Sequence, residues 1–334
     1  MTTNVAVIGF GKMGILHAGI LNAIPDCHVR AICEREGLLV RAAKAFLPKT
    51  VAVYKDHLEM LAREQVDAVF VTTPIHTHVP LITDIARNNK DLSIFVEKPL
   101  AATYEQAQTA CDAVRDLNGV SMVGYQKRFS PIFLQAGEFI KEGVLGELLF
   151  FRAYSFSSDV LSKGSSWRFR KGMGGVLLDL APHLLDILLW FFGEPSDVES
   201  VRRRIYSDDV DDYVHVVISF KSGLKGSIDT CWSVRNYRLP EISIEVYGEK
   251  GRMTVSDDFV ELALDSAAEG SRAIYRQSFN TSVSFLLADP EFTIQDKAFL
   301  VAVRKRMRPQ MDFPEAAKVN AIIDRINQNA QRVD

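Results

Sequence analysis

Cysteine is scarce in this chain: Cys27, Cys33, Cys111 and Cys231 are the only four in 334 residues, and no two form a CxxC pair. That scatter excludes a disulfide framework and the usual structural zinc site, and it reads as reduced thiols in a cytosol. A surplus of one charge is also missing. With 39 Lys and Arg against 42 Asp and Glu, the formal net charge is −3, which gives no electrostatic reason to expect nucleic acid or a membrane surface as partner. Long apolar runs are lacking too. The most apolar stretch, LAPHLLDILLWFF (180–192), is interrupted by His183 and Asp186 and is too short to span a bilayer. The opening MTTNVAVIGFG has no basic lead, apolar block and small-residue cleavage site of a secretory leader. The expectation is a cytoplasmic globular protein, and its length favours two domains.

What is present first is an alternation. Short β-branched runs, NVAVIGF, CHVRAICE, TVAVY, DAVFVTT, SIFVEKP and VSMVGY, are separated by helical periodicity over 12–23, 41–46, 56–64, 78–89 and 103–117. Strands regularly separated by helices imply parallel pairing with right-handed crossovers, hence a doubly wound Rossmann-type sheet over residues 1–125. From 126 to 334 the texture changes to an expected α+β domain for substrate binding and oligomerisation. It carries helices over 131–142 and 180–192, then strands from about 197 to 264 whose hairpin signals are SGLKG and YGEKG. In VHVVISF, Val214, Val216, Ile218 and Phe220 share one face, so the sheet is expected to be largely antiparallel, packed on one side and open on the other. That open face suggests a homodimer or homotetramer. Helices are expected over 296–308 and 314–330, and residues 266–295 carry no clear pattern.

GFGKMG places Gly9, Gly11 and Gly14 in GxGxxG spacing after a strand and at the opening of a helix. There the first glycine allows a tight turn, the second lets backbone approach a pyrophosphate, and the third lets the helix pack on the sheet. The loop residues Gly9, Phe10, Gly11, Lys12, Met13 and Gly14 are therefore expected to bind a dinucleotide, with phosphates at the helix N-terminus. Glu34 ends the second strand, where an acid binds the ribose 2′-hydroxyl; it favours NAD, while Arg35 beside it leaves NADP open.

These stretches resemble the Gfo/Idh/MocA oxidoreductases, a family named for glucose–fructose oxidoreductase and inositol 2-dehydrogenase. TTPIHTH (72–78) is similar to the family's TP-x-x-x-H, EKPL (97–100) to its most specific mark, and GYQKRFSP (124–131) to its crossover into the second domain. GGVLLDLAPHLLDILLWFFG (174–193) is similar to GGG-x-L-x-D-x-G-x-H-x-x-D, with Met173 and Ala181 replacing two of its glycines. The resemblance implies Lys98, Asp179 and His183 as catalytic residues that also touch substrate, joined by Gln126 and Lys127 on the substrate side. It implies Thr72, Thr73, Pro74, His78, Glu97 and Lys98, together with Trp167 and Arg168 of SSWRFR, as cofactor contacts. The activity it implies is hydride transfer between nicotinamide and a secondary hydroxyl or ketone of a sugar, cyclitol or derivative. A dihydrodiol or sugar-nucleotide dehydrogenase, or a cofactor-binding regulator without turnover, stands as the alternative.

The residue chemistry suits that activity. An imidazole with a pKa of about 6.5 can accept or return a proton near neutral pH, and a lysine ammonium can stabilise developing alkoxide charge without a metal. Asp179 lies four positions before His183, so a continuous helix would present both on one face. Capping by Asp179 and a structural role for Asp186 are the simpler explanations of those acids. His76 and His78 form an HxH pair without a third ligand, so no metal is expected. SDDVDD (207–212) reads as a solvated hairpin tip, Arg202, Arg203 and Arg204 as a solvated or interface strand, and RKRMR (304–308) as charge at a helix C-terminus.

Overall fold

The computed structural model describes residues 2–237, 239–265, 270–276 and 288–332. The chain divides into two compact units, the first comprising 1–126 and 282–320, the second 127–281 and 321–334.

In the first unit, β1 (Thr3–Ile8), α1 (Lys12–Ala23), β2 (Cys27–Cys33), α2 (Gly37–Phe46), β3 (Ala52–Tyr54), α3 (His57–Arg63), β4 (Ala68–Val71), α4 (His78–Asn88), β5 (Ser93–Glu97), α5 (Tyr104–Val114) and β6 (Ser121–Gly124) follow one another. All strand pairs in this sheet are parallel, and the order is β3-β2-β1-β4-β5-β6. That is the doubly wound arrangement, and its order reverses between β1 and β4. Ala68–Val71 and Ile94–Val96 are fully buried, as strands covered on both faces must be. The helix read as 41–46 begins four residues earlier, because Glu36 accepts the amide of Leu38 at 3.2 Å and caps it.

In the second unit, α6 (Pro131–Lys141), β7 (Leu148–Phe156), the short α7 (Val176–Asp179), α8 (Ala181–Phe192), β8 (Pro195–Arg203), β9 (Tyr213–Phe220), β10 (Lys225–Cys231), β11 (Glu241–Gly248), β12 (Gly251–Ser256), β13 (Phe259–Leu264) and β14 (Ser271–Tyr275) are followed, after the chain's return to the first unit, by β15 (Ala330–Arg332). The nine-stranded sheet has the order β14-β13-β12-β11-β7-β10-β9-β8-β15 and is antiparallel except where β7 meets β10 and β8 meets β15. β9 alternates as its sequence requires: Val214, Val216, Ile218 and Phe220 are buried, and Val217 is exposed. The aromatic rings of Phe151, Phe192 and Phe220, with centroids 5.0 to 5.9 Å apart, join β7, α8 and β9.

The division at 125 needs one correction: residues 282–320 belong with the first unit. The long helix α9 (Pro290–Lys305) packs there, with Phe299 against Phe70 and Phe95 at 5.3 and 5.6 Å. Beyond it, the Met311 carbonyl accepts the Val123 amide at 2.8 Å. An amphipathic helix can cover any apolar face, so periodicity alone did not reveal which domain takes it. α10 (Phe313–Gln328) carries the chain out of this unit at residue 320. Of the unassigned stretch 266–295, residues 271–275 form β14 and 290–295 open α9, while 266–269 and 277–287 lie outside the described residues.

RKRMR lies at the C-terminal end of α9, as expected, and makes further contacts there, whereas one acid of SDDVDD departs from the expected solvated tip. Arg304 donates to Thr3 Oγ1 at 2.7 Å and to the Asp26 carbonyl at 2.8 Å, and Arg306 to the Asn118 carbonyl at 2.7 Å, so RKRMR ties the returning segment to loops of the first unit. In SDDVDD, Asp212 is fully buried rather than solvated. Its carboxylate accepts the amides of Ile205, Tyr206 and Ser207 at 2.6 to 2.8 Å, the Ser207 hydroxyl at 2.5 Å and the indole N–H of Trp232 at 2.5 Å. Arg202 pairs with Asp211 at 3.1 Å and donates to the Ile326 carbonyl at 2.9 Å, which makes that strand residue structural.

Burial alone would raise the pKa of Asp212, but the hydrogen bonds from Ser207, Trp232 and Ile205 outweigh it and hold the group below its ordinary 3.8. A depressed folded pKa contributes stability above the unfolded value, and that stability is lost as pH falls through the folded one. Asp212→Asn is expected to lower unfolding stability by about 1–3 kcal/mol at pH 7, because several buried donors lose their acceptor. Urea titrations of both proteins check this, and the gap between them should close under acid conditions.

Candidate active site

The first unit supplies a site for a dinucleotide. Gly9 adopts φ +94°, open to glycine, and a methyl group on Gly14 would collide with the Gly9 carbonyl oxygen. A methyl group on Gly11 would meet nothing within 4 Å, so the loop is open at the position where backbone must approach phosphate. No side chain caps α1 and its first turn carries no acid, which leaves the positive end of the helix dipole available to an anion. Glu34 reaches the loop: its Oε2 accepts the Phe10 amide at 2.6 Å and its Oε1 the Glu36 amide at 2.8 Å. Arg35 is exposed next to it, as is Lys12, with Met13 half-buried. This donor and acceptor set fits a dinucleotide.

The ends of β4 and β5 complete that edge. Thr72 donates from its hydroxyl to the Gly9 carbonyl at 2.8 Å, tying the loop after β4 to the glycine turn. The Thr77 hydroxyl donates to the Pro74 carbonyl at 2.7 Å and lies 2.6 Å from the Thr73 hydroxyl, which can donate to it. His78, at the head of α4, is turned inward: Nε2 lies 2.8 Å from the Thr73 carbonyl and Nδ1 3.1 Å from the Pro99 carbonyl. Burial holds this imidazole below its ordinary pKa, so the neutral ring has one N–H to donate to one of these two carbonyls. His76 is exposed while His78 is buried; among the described residues no group of three or more His, Cys, Asp or Glu could hold a metal ion.

Glu97 and Lys98 follow at the end of β5, before a cis bond to Pro99. Lys98 is half-buried. The Glu97 carboxylate turns back into the unit, with Oε1 2.9 Å from His17 Nε2 and Oε2 accepting the Lys98 amide at 3.2 Å.

The second unit gathers another polar group. Arg168 forms ion pairs with Asp179 and, at 3.3 Å, with Asp159, and its guanidinium lies 5.3 Å from the centre of the Trp232 ring. Trp167 is half-buried beside it. Asp179 ends α7, and Arg168 is an ion-pair partner of its carboxylate. α7 ends at Asp179 and α8 starts at Ala181, with Leu180 between them at φ −101°. The expected continuous helix is therefore broken, because Pro182 in the first turn of α8 has no N–H to extend the ladder. His183 is half-buried in the first turn of α8.

Lys127 forms an ion pair with Asp257, its Nζ 2.6 Å from Oδ1. Gln126 is 8% exposed at the end of the first unit.

Residues 3–125 match the model of an oxidoreductase family with an NAD-binding Rossmann fold, and residues 133–254 match the GFO/IDH/MocA C-terminal domain. Levoglucosan dehydrogenase of Pseudarthrobacter phenanthrenivorans is 30% identical over 316 residues, covering 81% of this chain and 80% of that protein. The chain belongs to the Gfo/Idh/MocA family of oxidoreductases. Another relative, the NAD-dependent scyllo-inositol 2-dehydrogenase of Bacillus subtilis, is 27% identical across 75% of this chain and 72% of its own. A solved levoglucosan dehydrogenase in complex with NADH and levoglucosan superposes with a TM-score of 0.87 at 27% identity, covering 98% of this chain and 97% of that one.

Four residues of this Gfo/Idh/MocA chain escaped the sequence reading. His17 bridges Glu97 and Asp296, and Asp159 and Trp232 flank Arg168. His17 left one local signal, a lone imidazole in the otherwise apolar run of α1. Asp296 fell at the edge of a stretch without pattern, and its partner lies 279 residues away.

Proposed function

We propose that the protein is an NAD-dependent dehydrogenase acting on a secondary hydroxyl of a sugar or cyclitol. The observation that carries this reading is the Glu34 carboxylate on the Phe10 amide of the glycine turn. There it can accept hydrogen bonds from a ribose and repel a 2′-phosphate, which selects NAD over NADP. The substrate class comes from the relatives, whose names are scyllo-inositol 2-dehydrogenase, myo-inositol 2-dehydrogenase and levoglucosan dehydrogenase. Bound nicotinamide supplies the hydride acceptor.

In this reading, the residues of the chain handle the proton and orientation. His183 takes the hydroxyl proton as general base and returns it in the reductive direction. Lys98 donates a charge-assisted hydrogen bond to the same oxygen as alkoxide character develops. Asp179 accepts a neighbouring substrate hydroxyl, with its orientation set by Arg168. Gln126 and Lys127 add donors on the substrate side, Trp167 and Arg168 on the cofactor side. The location proposed is the cytoplasm; among the described residues no helix is long and apolar enough to cross a membrane.

The test is a panel of inositols, anhydrosugars, aldoses, dihydrodiols and sugar nucleotides with NAD and NADP, following reduced nicotinamide by absorbance. NAD-dependent oxidation of a cyclitol or sugar is expected. Tight NADH binding without turnover of any member would overturn the reading in favour of a sensor. Exposed Leu149, Phe150 and Val217 on the sheet support a further proposal, a homodimer or homotetramer, which light scattering on the same preparation reads as two or four chain masses.

A further inference from the structure

His17 is fully buried in the second turn of α1, yet both of its ring nitrogens face carboxylates. Nδ1 lies 3.0 and 2.9 Å from the two oxygens of Asp296 on α9, and Nε2 lies 2.9 Å from Glu97 Oε1. A neutral imidazole has one N–H and could satisfy only one of these acids; the imidazolium has two and satisfies both. Phe70, Phe95 and Phe292 surround the ring with centroids 5.2 to 6.1 Å away, so no water is needed to complete its contacts. Glu97 and Asp296 are the titratable groups that act on it. Cys27 on β2, raised to about 12 mainly by its burial, remains a neutral thiol nearby.

The remaining oxygen of Glu97 carries the arrangement towards the site. Glu97 Oε2 accepts the backbone amide of Lys98 at 3.2 Å. Room for this back-folded carboxylate comes from Gly124 on β6, where a methyl group would stand 3.1 Å from Glu97 Oε1 and 2.9 Å from the Phe95 ring. We propose that the His17 imidazolium, neutralised by Asp296, is a positioning group that fixes the Glu97 carboxylate and through it the turn presenting Lys98. The returning α9 thereby contributes to the reaction without touching substrate. This inference rests on the catalytic role given to Lys98 above.

The ring keeps its proton across the working range. Burial alone would expel the charge, but attraction to Asp296 and the hydrogen bonds that the ring donates to both acids outweigh it and raise the pKa to about 10. His17 is therefore a fixed cation at neutral pH, and the neutral limb of any rate profile belongs to another group.

Two variants test the proposal. His17→Phe/Asp296→Asn keeps ring volume and net charge while deleting the clamp. It is expected to fold, to bind NADH within about threefold of the parent, and to lose kcat by about ten- to hundredfold, as a displaced catalytic group does. A kcat equal to the parent's would overturn the proposal. Asp296→Asn alone removes one stabilising charge, so the His17 pKa should fall from about 10 and the alkaline limb of kcat should move to lower pH than in the parent. The decisive reading is independent of turnover: in nitrogen-15 NMR of Asp296→Asn, the Lys98 amide should shift in step with the His17 ring titration. A Lys98 amide indifferent to that titration would end the inference, even if no polyol were oxidised and the substrate reading failed separately.

Discussion

Arg128→Met is expected to destabilise the second unit by about 3–5 kcal/mol, the usual result of stripping one member from a buried ion pair. Arg128 and Asp186 face one another as a fork: Nε to Oδ2 and Nη2 to Oδ1 are both 2.9 Å, with the side chains 5% and 1% exposed. The guanidinium also lies 5.3 Å from the centre of the Trp190 ring. Removing the cation leaves a carboxylate in the middle of α8 without its main counter-charge. Its desolvation cost then falls entirely on the folded state. Arg128→Met/Asp186→Leu should recover most of that loss, since neither buried charge remains. Chemical denaturation of the two variants decides the matter; equal losses in single and double would mean that the pair's charges contribute little. His183 sits one turn before Asp186, so the pair also anchors the helix that bears it.

This pair shows how the acids of one helix divide their work, and the sequence permitted only part of that division. Asp186 was assigned to structure because polar groups on so apolar a helix need partners, although Arg128 was not singled out for the role. The glycine spacing and the alternation of β9 were legible because both are local: a turn needs φ above zero, and a pleat alternates every second residue. Asp179 was misread at the same scale. Its spacing from His183 predicted one helical face, but the break at Leu180 separates α7 from α8, and its partner Arg168 lies in a single 3-10 turn, Trp167–Phe169, too short to leave a periodic signal.

Convergent and long-range pairing was least legible. Asp212 sits in a run of acids whose composition is that of a solvated tip, and only the folded turn brings the nearby amides of 205–207, the Ser207 hydroxyl and the Trp232 indole onto that one carboxylate. His17 and Asp296 are 279 residues apart, and α9 carried no mark of the sheet it would cover. A carboxylate's burial depends on which donors the folded chain turns towards it, and neither a run of acids nor a helical period carries that information.

The largest kinetic effects belong to the two groups assigned to the carbinol oxygen. His183→Ala should lower kcat by about 10²–10⁴, the usual worth of a positioned acid–base group. Lys98→Ala should cost about 10²–10³, the scale of losing one donor to a developing oxyanion. NADH affinity should change little in His183→Ala, because the cofactor contacts proposed above, the glycine turn and Glu34, lie in the first unit. If both groups serve one oxygen, the double variant should lose far less than the product of the single losses, since either loss already disables the unit they form. Rate losses that multiply, with each single variant retaining its own pH limb, would place the two side chains in independent steps and remove the basis for assigning them a common oxygen. Exogenous imidazole offers a check on role as distinct from fold: it should partly restore His183→Ala, where a base is missing, and leave Lys98→Ala unchanged at pH values where imidazole is neutral.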